Sequence, residues 1–207
     1  MPVNEATTTL NFQQLRFLTS AAELHQLPED NGVEIAFAGR SNAGKSTALN
    51  ILARQRQLAR SSKTPGRTQL INLFHLRDDV RLVDLPGYGY AQVPEEIKKR
   101  WQATLGEYLW QRQCLKGLVL LCDIRHPLKE LDQHLLDWAN DRSLPVLLLL
   151  TKADKLSRGA CAGTVQQVKR HASVASHQVT VAAFSSLSHQ GLETLESFIY
   201  EVLNASA

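Results

Sequence analysis

Cysteine and methionine are scarce in this chain of 207 residues, three and one respectively, and no stretch is apolar for more than a few residues in a row. Cys114, Cys122 and Cys161 are an odd number with no CxxC spacing, which argues against a disulfide framework or a zinc site and leaves them as buried, reduced packing residues. The longest apolar runs, Leu118 to Cys122 and Val146 to Leu150, fall far short of the roughly 20 residues a bilayer span needs. The opening MPVNEATTTL lacks the basic flank and apolar segment of a secretory signal, so a cytoplasmic address without membrane contact is expected. The seven histidines form no close ligand pair beyond loose spacings such as His171 and His177, and are read as solvated or core residues. Tracts rich in Pro, Gly or Ser and internal repeats are missing, which confines expected disorder to the two ends. Acidic residues are missing from Ile35 to Arg77, a stretch that carries Arg40, Lys45, Arg54, Arg56, Arg60, Lys63, Arg67 and Arg77. A net charge of +3 does not by itself mark a nucleic-acid binder. The basic stretch is either a solvated face serving a polyphosphate ligand or, in addition, a surface facing RNA.

A hydrophobic content of 43% and a length suited to one large domain describe a folded protein with a full core. Short apolar runs alternate with longer amphipathic ones, the pattern of a mostly parallel sheet with helices on both faces. Six strands are expected, at Val33 to Ala38, Leu70 to Leu76, Val80 to Asp84, Gly117 to Asp123, Val146 to Thr151 and Val179 to Phe184. Helices are expected at Lys45 to Ala53, Pro94 to Arg112, Leu128 to Asn140, Gly163 to Ala172 and Leu192 to Leu203. Pro94 followed by Glu95 and Glu96 suits a helix N-terminus. Residues 1 to 32 read as an N-terminal arm ahead of a domain over 33 to 207. Within the arm Leu15, Leu18 and Ala22 share helical spacing, which predicts a short amphipathic helix over Phe12 to Leu24 packed on the domain edge. Trp101 and Trp110, with Leu105 and Leu109, are expected to pack in the core, and His126 to cap the helix near Leu128.

Gly39-Arg40-Ser41-Asn42-Ala43-Gly44-Lys45-Ser46 fits GxxxxGK[ST] and lies between a predicted strand and a predicted helix, the context a P-loop requires. Its glycines let backbone N–H groups turn toward phosphates, and the helix N-terminus adds its positive end. Lys45 is expected to reach the β and γ phosphates, and the Ser46 hydroxyl to ligate magnesium. Asp84-Leu85-Pro86-Gly87 ends a strand and matches DxxG, in which the aspartate holds magnesium through a water and the Gly87 N–H senses the γ-phosphate. Between these motifs, Lys63 to Gln69 offers the hydroxyls of Thr64 and Thr68. Thr68 is the expected second magnesium ligand because it lies nearer the next strand, and Gly66, Arg67, Thr68, Gln69 and Leu70 are expected to line the nucleotide.

A P-loop alone leaves ATPase, kinase and GTPase open. Thr151-Lys152-Ala153-Asp154 follows a strand and matches [NT]KxD, where the carboxylate accepts from guanine N1–H and the 2-amino group, and the Lys152 stem lies along the base. Thr151 replaces the asparagine common in other GTPases, which predicts a weaker tether between this loop and the P-loop. Phe184-Ser185-Ser186 follows the last predicted strand, where GTPases place a turn that contacts guanine O6. The five elements in this order imply a Ras-like P-loop GTPase fold of the α/β class. A phosphotransferase is disfavoured by TKAD and by the want of an Arg-rich lid segment, and a purely structural use of nucleotide is disfavoured by the complete magnesium and phosphate set.

Six blocks carry a closer resemblance: EIAFAGRSNAGKST (Glu34 to Thr47), TPGRTQ (Thr64 to Gln69), DLPGYGYA (Asp84 to Ala91), DIRHP (Asp123 to Pro127), TKAD and FSS. Together they make the chain similar, from about Asn11 to its end, to the EngB (YihA/YsxC) family of bacterial GTPases. The resemblance implies a cytoplasmic, magnesium-dependent GTPase that cycles between GTP and GDP. It further implies a role in maturation of the large ribosomal subunit, with precursor rRNA and ribosomal proteins as partners, and a need for the protein in cell division and septation. A monomer is expected. Tyr88 stands where Ras-type GTPases carry a water-orienting glutamine, so intrinsic turnover should be slow. Lys45, Asn42, Thr68 and Gly87 are the residues expected to act on the reaction, Asn42 by helping to hold a potassium ion beside the phosphates. Arg67 is the competing source of that charge.

Overall fold

The computed structural model describes residues 10–59, 70–89, 95–175 and 178–206. Seven strands form one sheet in the order β1-β3-β4-β2-β5-β6-β7: β1 Arg16–Ala21, β2 Val33–Gly39, β3 Ile71–Arg77, β4 Val80–Asp84, β5 Leu115–Asp123, β6 Val146–Thr151 and β7 Val179–Ala183. β4, β2, β5, β6 and β7 run parallel, whereas β3 pairs antiparallel with both β4 and β1. Helices α1 Lys45–Leu52, α2 Glu95–Gln111, α3 Glu130–Asp141, α4 Arg158–Ala175 and α5 Leu192–Ala205 cover the faces. Strand alternation divides the core in two. On β2, Ile35 and Phe37 face a cluster shared with Leu49 and Leu52 of α1 and Leu195 and Ile199 of α5, while Ala36 and Ala38 face the cluster of Tyr108, Leu109, Leu136 and Ala139 on α2 and α3. The three cysteines are buried and carry free thiols, as their spacing suggested.

The sheet corrects the expected count of six strands, because the segment predicted as an amphipathic helix is strand β1. Its backbone pairs with β3 from Arg16↔His75 to Ala21↔Ile71, and the register slips between Phe17 and Thr19. That slip changes the phase of the side chains at Leu18, which mimics a helical period in the sequence. Phe17 stacks edge to face on Phe74, its cross-strand partner, at 6.1 Å. Short 3-10 turns flank the strand at Phe12–Gln14 and Leu24–Gln26. Leu10, Phe12 and Leu15 enter the core, and the Gln55 amide donates to the carbonyls of Gln13 and Leu15.

At the end of the sheet away from the strand carboxyl termini lies a buried ionic cluster that the sequence did not announce. Glu34, fully buried, accepts at Oε1 from Arg81 (3.0 Å) and Arg112 (2.8 Å) and at Oε2 from the Tyr108 hydroxyl (2.9 Å) and Arg112 Nε (3.1 Å). Arg81 and Arg112 each also donate to the Glu29 carbonyl, which ties the segment before β2 to the domain. Every acceptor site of the carboxylate is filled, so its removal leaves two buried guanidinium groups short of a counter-charge. Glu34→Ala is expected to destabilise the nucleotide-free protein by about 3–5 kcal/mol in urea unfolding. A loss under about 1 kcal/mol would mean that water reaches and solvates the two arginines.

Candidate nucleotide-binding site

The carboxyl ends of β2, β4, β6 and β7 meet at one edge of the sheet, and the P-loop, DxxG, TKAD and FSS motifs start there. β2 ends in Gly39, where a Cβ would lie 2.5 Å from the Leu121 carbonyl, so only glycine permits this approach to β5. The chain then turns through Asn42 (φ 60°) and Gly44 (φ 97°) into α1. Gly44 offers no side-chain cap and the first turn of α1 holds no acid, which leaves its N–H groups available to an anion. Arg40, Ser41 and Ala43 complete the loop, and Ser41 N–H donates to the Tyr88 carbonyl at 2.8 Å.

That bond brings DxxG against the P-loop. Leu85 N–H donates to the Phe37 carbonyl, Pro86 follows, and a Cβ on Gly87 would sit 3.2 Å from both Lys45 Nζ and the Ser41 nitrogen. The Ser46 hydroxyl donates to Asp84 Oδ2 at 3.4 Å. Asp84 Oδ1 and the Ser41 hydroxyl are buried without a hydrogen-bond partner among the described residues. Burial raises the Asp84 carboxyl above its ordinary range, against the pull of Lys45 and Ser46. Burial likewise lowers the Lys45 ammonium, with Asp84 opposing. A buried carboxylate oxygen with no partner, the Ser46 hydroxyl bonded to the same carboxylate and the Lys45 ammonium beside Gly87 make a donor set that fits a hydrated divalent ion and phosphate oxygens.

The Tyr88 hydroxyl is engaged elsewhere. Its ring is buried and its hydroxyl donates to Asp132 Oδ1 at 2.5 Å, while Asp132 Oδ2 accepts from Lys129 N–H at 2.9 Å. Burial first, and Asp132 next, push the Tyr88 hydroxyl well above its ordinary value, so it remains a proton donor. Lys129 is therefore the N-cap of α3, and the exposed His126 does not cap it, contrary to expectation. Asp132 was missed in the sequence, although its signal was there: an acid four residues after Leu128 and three and four before Leu135 and Leu136, on an apolar helix face.

The loop after β6 is bound to both neighbours. The Thr151 hydroxyl, buried, lies 2.8 Å from the Ala43 carbonyl of the P-loop and 3.1 Å from the Cys122 carbonyl. Threonine's hydroxyl thus ties this loop directly to the P-loop. Ala153 N–H donates to the Phe184 carbonyl and Phe184 N–H to the Leu150 carbonyl, which joins the loop to the turn at Ser185 and Ser186. Ser185, fully buried, donates its hydroxyl proton to Asp154 Oδ1 at 2.8 Å. This bond, foremost, lowers the Asp154 carboxyl below its ordinary value. Lys152 Nζ pairs with Asp123 Oδ2 at 2.9 Å, a partner whose role the DIRHP block does not disclose in sequence.

Gly66, Arg67, Thr68 and Gln69 lie outside the described residues, as do Pro94 and the rest of 60–69 and 90–94. Leu70, half-buried, leads into β3. Trp110 departs from expectation. It is 59% exposed, tilted on Trp138 at 6.3 Å, because the buried stripe of α2 runs through Leu105, Tyr108 and Leu109 and passes it by. Trp101, expected in the core alongside it, belongs to the part of α2 whose side chains lie outside the described residues.

A family model described as "50S ribosome-binding GTPase" matches residues 34–152. The "Probable GTP-binding protein EngB" of Edwardsiella ictaluri is 60% identical over 190 residues, covering 92% of this chain and 88% of that protein. The protein of the same name from Escherichia coli O1:K1 is 59% identical over 190 residues, with the same coverage. Among solved structures, that of a probable GTP-binding protein engB superposes with a TM-score of 0.68 at 21% identity, over 84% of this chain and all of that one. A bacterial selenocysteine-specific elongation factor superposes with a TM-score of 0.61 at 19% identity, over 84% of this chain and 29% of that one. At these identities the superpositions speak for the fold.

Proposed function

The chain belongs to the EngB family of P-loop GTPases and hydrolyses GTP, and from that premise we propose that it is a nucleotide-controlled switch acting on the precursor of the large ribosomal subunit. The observation that carries this reading is the convergence on one sheet edge of Lys45, the Ser46–Asp84 pair and the Ser185-oriented Asp154. In this reading Gly39 to Ser46 wrap the phosphates, Gly66 to Leu70 and Asp84 to Gly87 close over them, and Thr151 to Asp154 with Phe184 to Ser186 hold guanine. Magnesium, with Ser46 and Thr68 as its protein ligands and Asp84 behind a water, supplies charge neutralisation for the phosphates. Lys45 donates to the phosphate oxygens and the Gly87 N–H marks whether a γ-phosphate is present.

The ribosomal role draws its support from the family and from the acid-free stretch 35–77, on which Arg54 and Arg56 are exposed. The same reading makes the protein a cytoplasmic monomer needed for division and septation. No helix among the described residues is long and apolar enough to cross a membrane. Co-sedimentation with large-subunit particles is the direct test. Recovery should be greatest with a GTP analogue, lower with GDP and lowest at high salt. Equal recovery with GTP analogue, GDP and no nucleotide would remove the switch from the proposal.

Charge for the transition state is the remaining need, since the Tyr88 hydroxyl is committed to Asp132. We assign it to a potassium ion held with the help of Asn42, which stands exposed on the P-loop with φ 60°. Potassium should accelerate single-turnover hydrolysis above the rate in sodium at equal ionic strength, and Asn42→Ala should erase the difference. Equal rates in the two salts for the unaltered protein would transfer the role to Arg67 or to a residue of the ribosome.

A further inference from the structure

Asp123 closes β5 directly opposite Thr151 in the parallel ladder, one residue from the lysine of TKAD. Two cations converge on its carboxylate. Lys152 Nζ lies 2.9 Å from Oδ2, while Arg125 places Nε 2.9 Å from Oδ1, a terminal nitrogen 2.6 Å from Oδ2, and its backbone N–H 3.1 Å from Oδ1. The Arg125 hydrogen bonds, first among the causes, hold the Asp123 carboxyl well below the usual carboxylate range. Arg125 is the more exposed of the two cations, 45% against 35% for Lys152. Lys152 sits in left-handed backbone (φ 59°), a conformation that a lysine keeps only when its surroundings impose it.

A lysine ammonium on a four-carbon stem has no orientation of its own. If the stem is to form one wall of a base site, something must fix its far end. We propose that Asp123 is a positioning residue for the guanine nucleotide, holding the Lys152 ammonium so that the lysine stem is laid out before the base arrives. Arg125 grips the same carboxylate from its more exposed side. The inference rests on the reading of Thr151 to Asp154 as the base loop. Its energetic logic is pre-organisation: a stem already fixed loses little rotamer freedom on binding, and the gain falls chiefly on the dissociation rate.

The full chain, loaded with N-methylanthraniloyl-GDP and chased with unlabelled GDP in a stopped-flow instrument, tests this. Asp123→Asn should raise the dissociation rate about tenfold, and by the same factor for the labelled GTP analogue, because the contact lies at the base end and not the phosphate end. Lys152→Met keeps the stem and removes the ammonium, and should give a similar rise. In that background Asp123→Asn should add less than about twofold, the non-additivity expected of two residues acting as one. Arg125→Ala should stay within about twofold of the unaltered protein, since Lys152 then has the carboxylate to itself. An unchanged rate in Asp123→Asn overturns the proposal. So does a full Asp123→Asn effect that persists beside Lys152→Met, or one that Arg125→Ala reproduces; either makes Asp123 a brace for its own loop. If the unaltered protein shows no preference for GDP over ADP, the base-loop reading falls as well, whereas normal preference with an unchanged Asp123→Asn rate removes the positioning role alone.

Discussion

Lys45→Ala is expected to lower single-turnover GTP hydrolysis by about 10²–10³-fold or more, the loss typical when one pre-organised donor is withdrawn from developing charge. The ammonium is held against Gly87 and Asp84 in an enclosed site, where burial has already lowered its affinity for a proton. In the proposed site that ammonium is the group that would meet the phosphate oxygens. The variant has a second signature. Without Lys45, Asp84 loses the charge that opposes its desolvation, and its carboxyl moves further above the ordinary range. A carboxyl whose folded value is raised binds more protons in the folded than in the unfolded state, so stability falls as pH rises through that window. The gap in thermal midpoint between unaltered and Lys45→Ala protein, both nucleotide-free, should therefore be small near about pH 5 and wider near about pH 8. A gap equally wide at both would make Lys45 a structural residue, independent of Asp84.

The motifs of the candidate site are more legible in sequence than the frame around them, for a physical reason. P-loop, DxxG, TKAD and FSS are contiguous backbone devices, each placed after a strand, and their spacing survives in one dimension. Glu34, Arg81, Tyr108 and Arg112 are brought together from β2, β4, α2 and the residue after α2, so no local pattern announces their cluster. β1 looks helical in sequence because an irregular edge register at Leu18 imitates a helical period, and pairing with β3 outweighs local propensity. The Thr151 tether is not legible in the motif alone, since it depends on how near the Ala43 carbonyl comes in the fold. Asp132 and Trp110 were legible in principle: tracing the buried stripes of α3 and α2 residue by residue puts the acid inside and the indole outside.

Asp154→Asn is expected to exchange guanine for xanthine selectivity, and Ser185 is what makes the exchange clean. The Ser185 oxygen accepts from the N–H groups of Leu187 (3.3 Å) and Ser188 (3.4 Å), and its proton goes to Asp154 Oδ1 at 2.8 Å. An asparagine amide flipped to point its NH₂ at that hydroxyl would meet an oxygen whose lone pairs are already taken. The amide therefore keeps its carbonyl toward Ser185 and its NH₂ where Oδ2 now lies. Guanine then faces one acceptor and one donor in place of two acceptors, and its 2-amino group meets the NH₂. Xanthine, with a carbonyl at that carbon and an N1–H beside it, finds the matching pair. Losing charge-assisted bonds of about 1.5–3 kcal/mol each should weaken GTP binding about a hundredfold or more. Competition against labelled nucleotide with GTP, XTP and ATP reads the result. Adding Ser185→Ala to Asp154→Asn should blur the preference, since the amide is then free to turn. If ATP displaces label from the unaltered protein as well as GTP does, Asp154 is not the guanine selector; if Asp154→Asn still prefers GTP to XTP, the carboxylate does not meet the base edge at all.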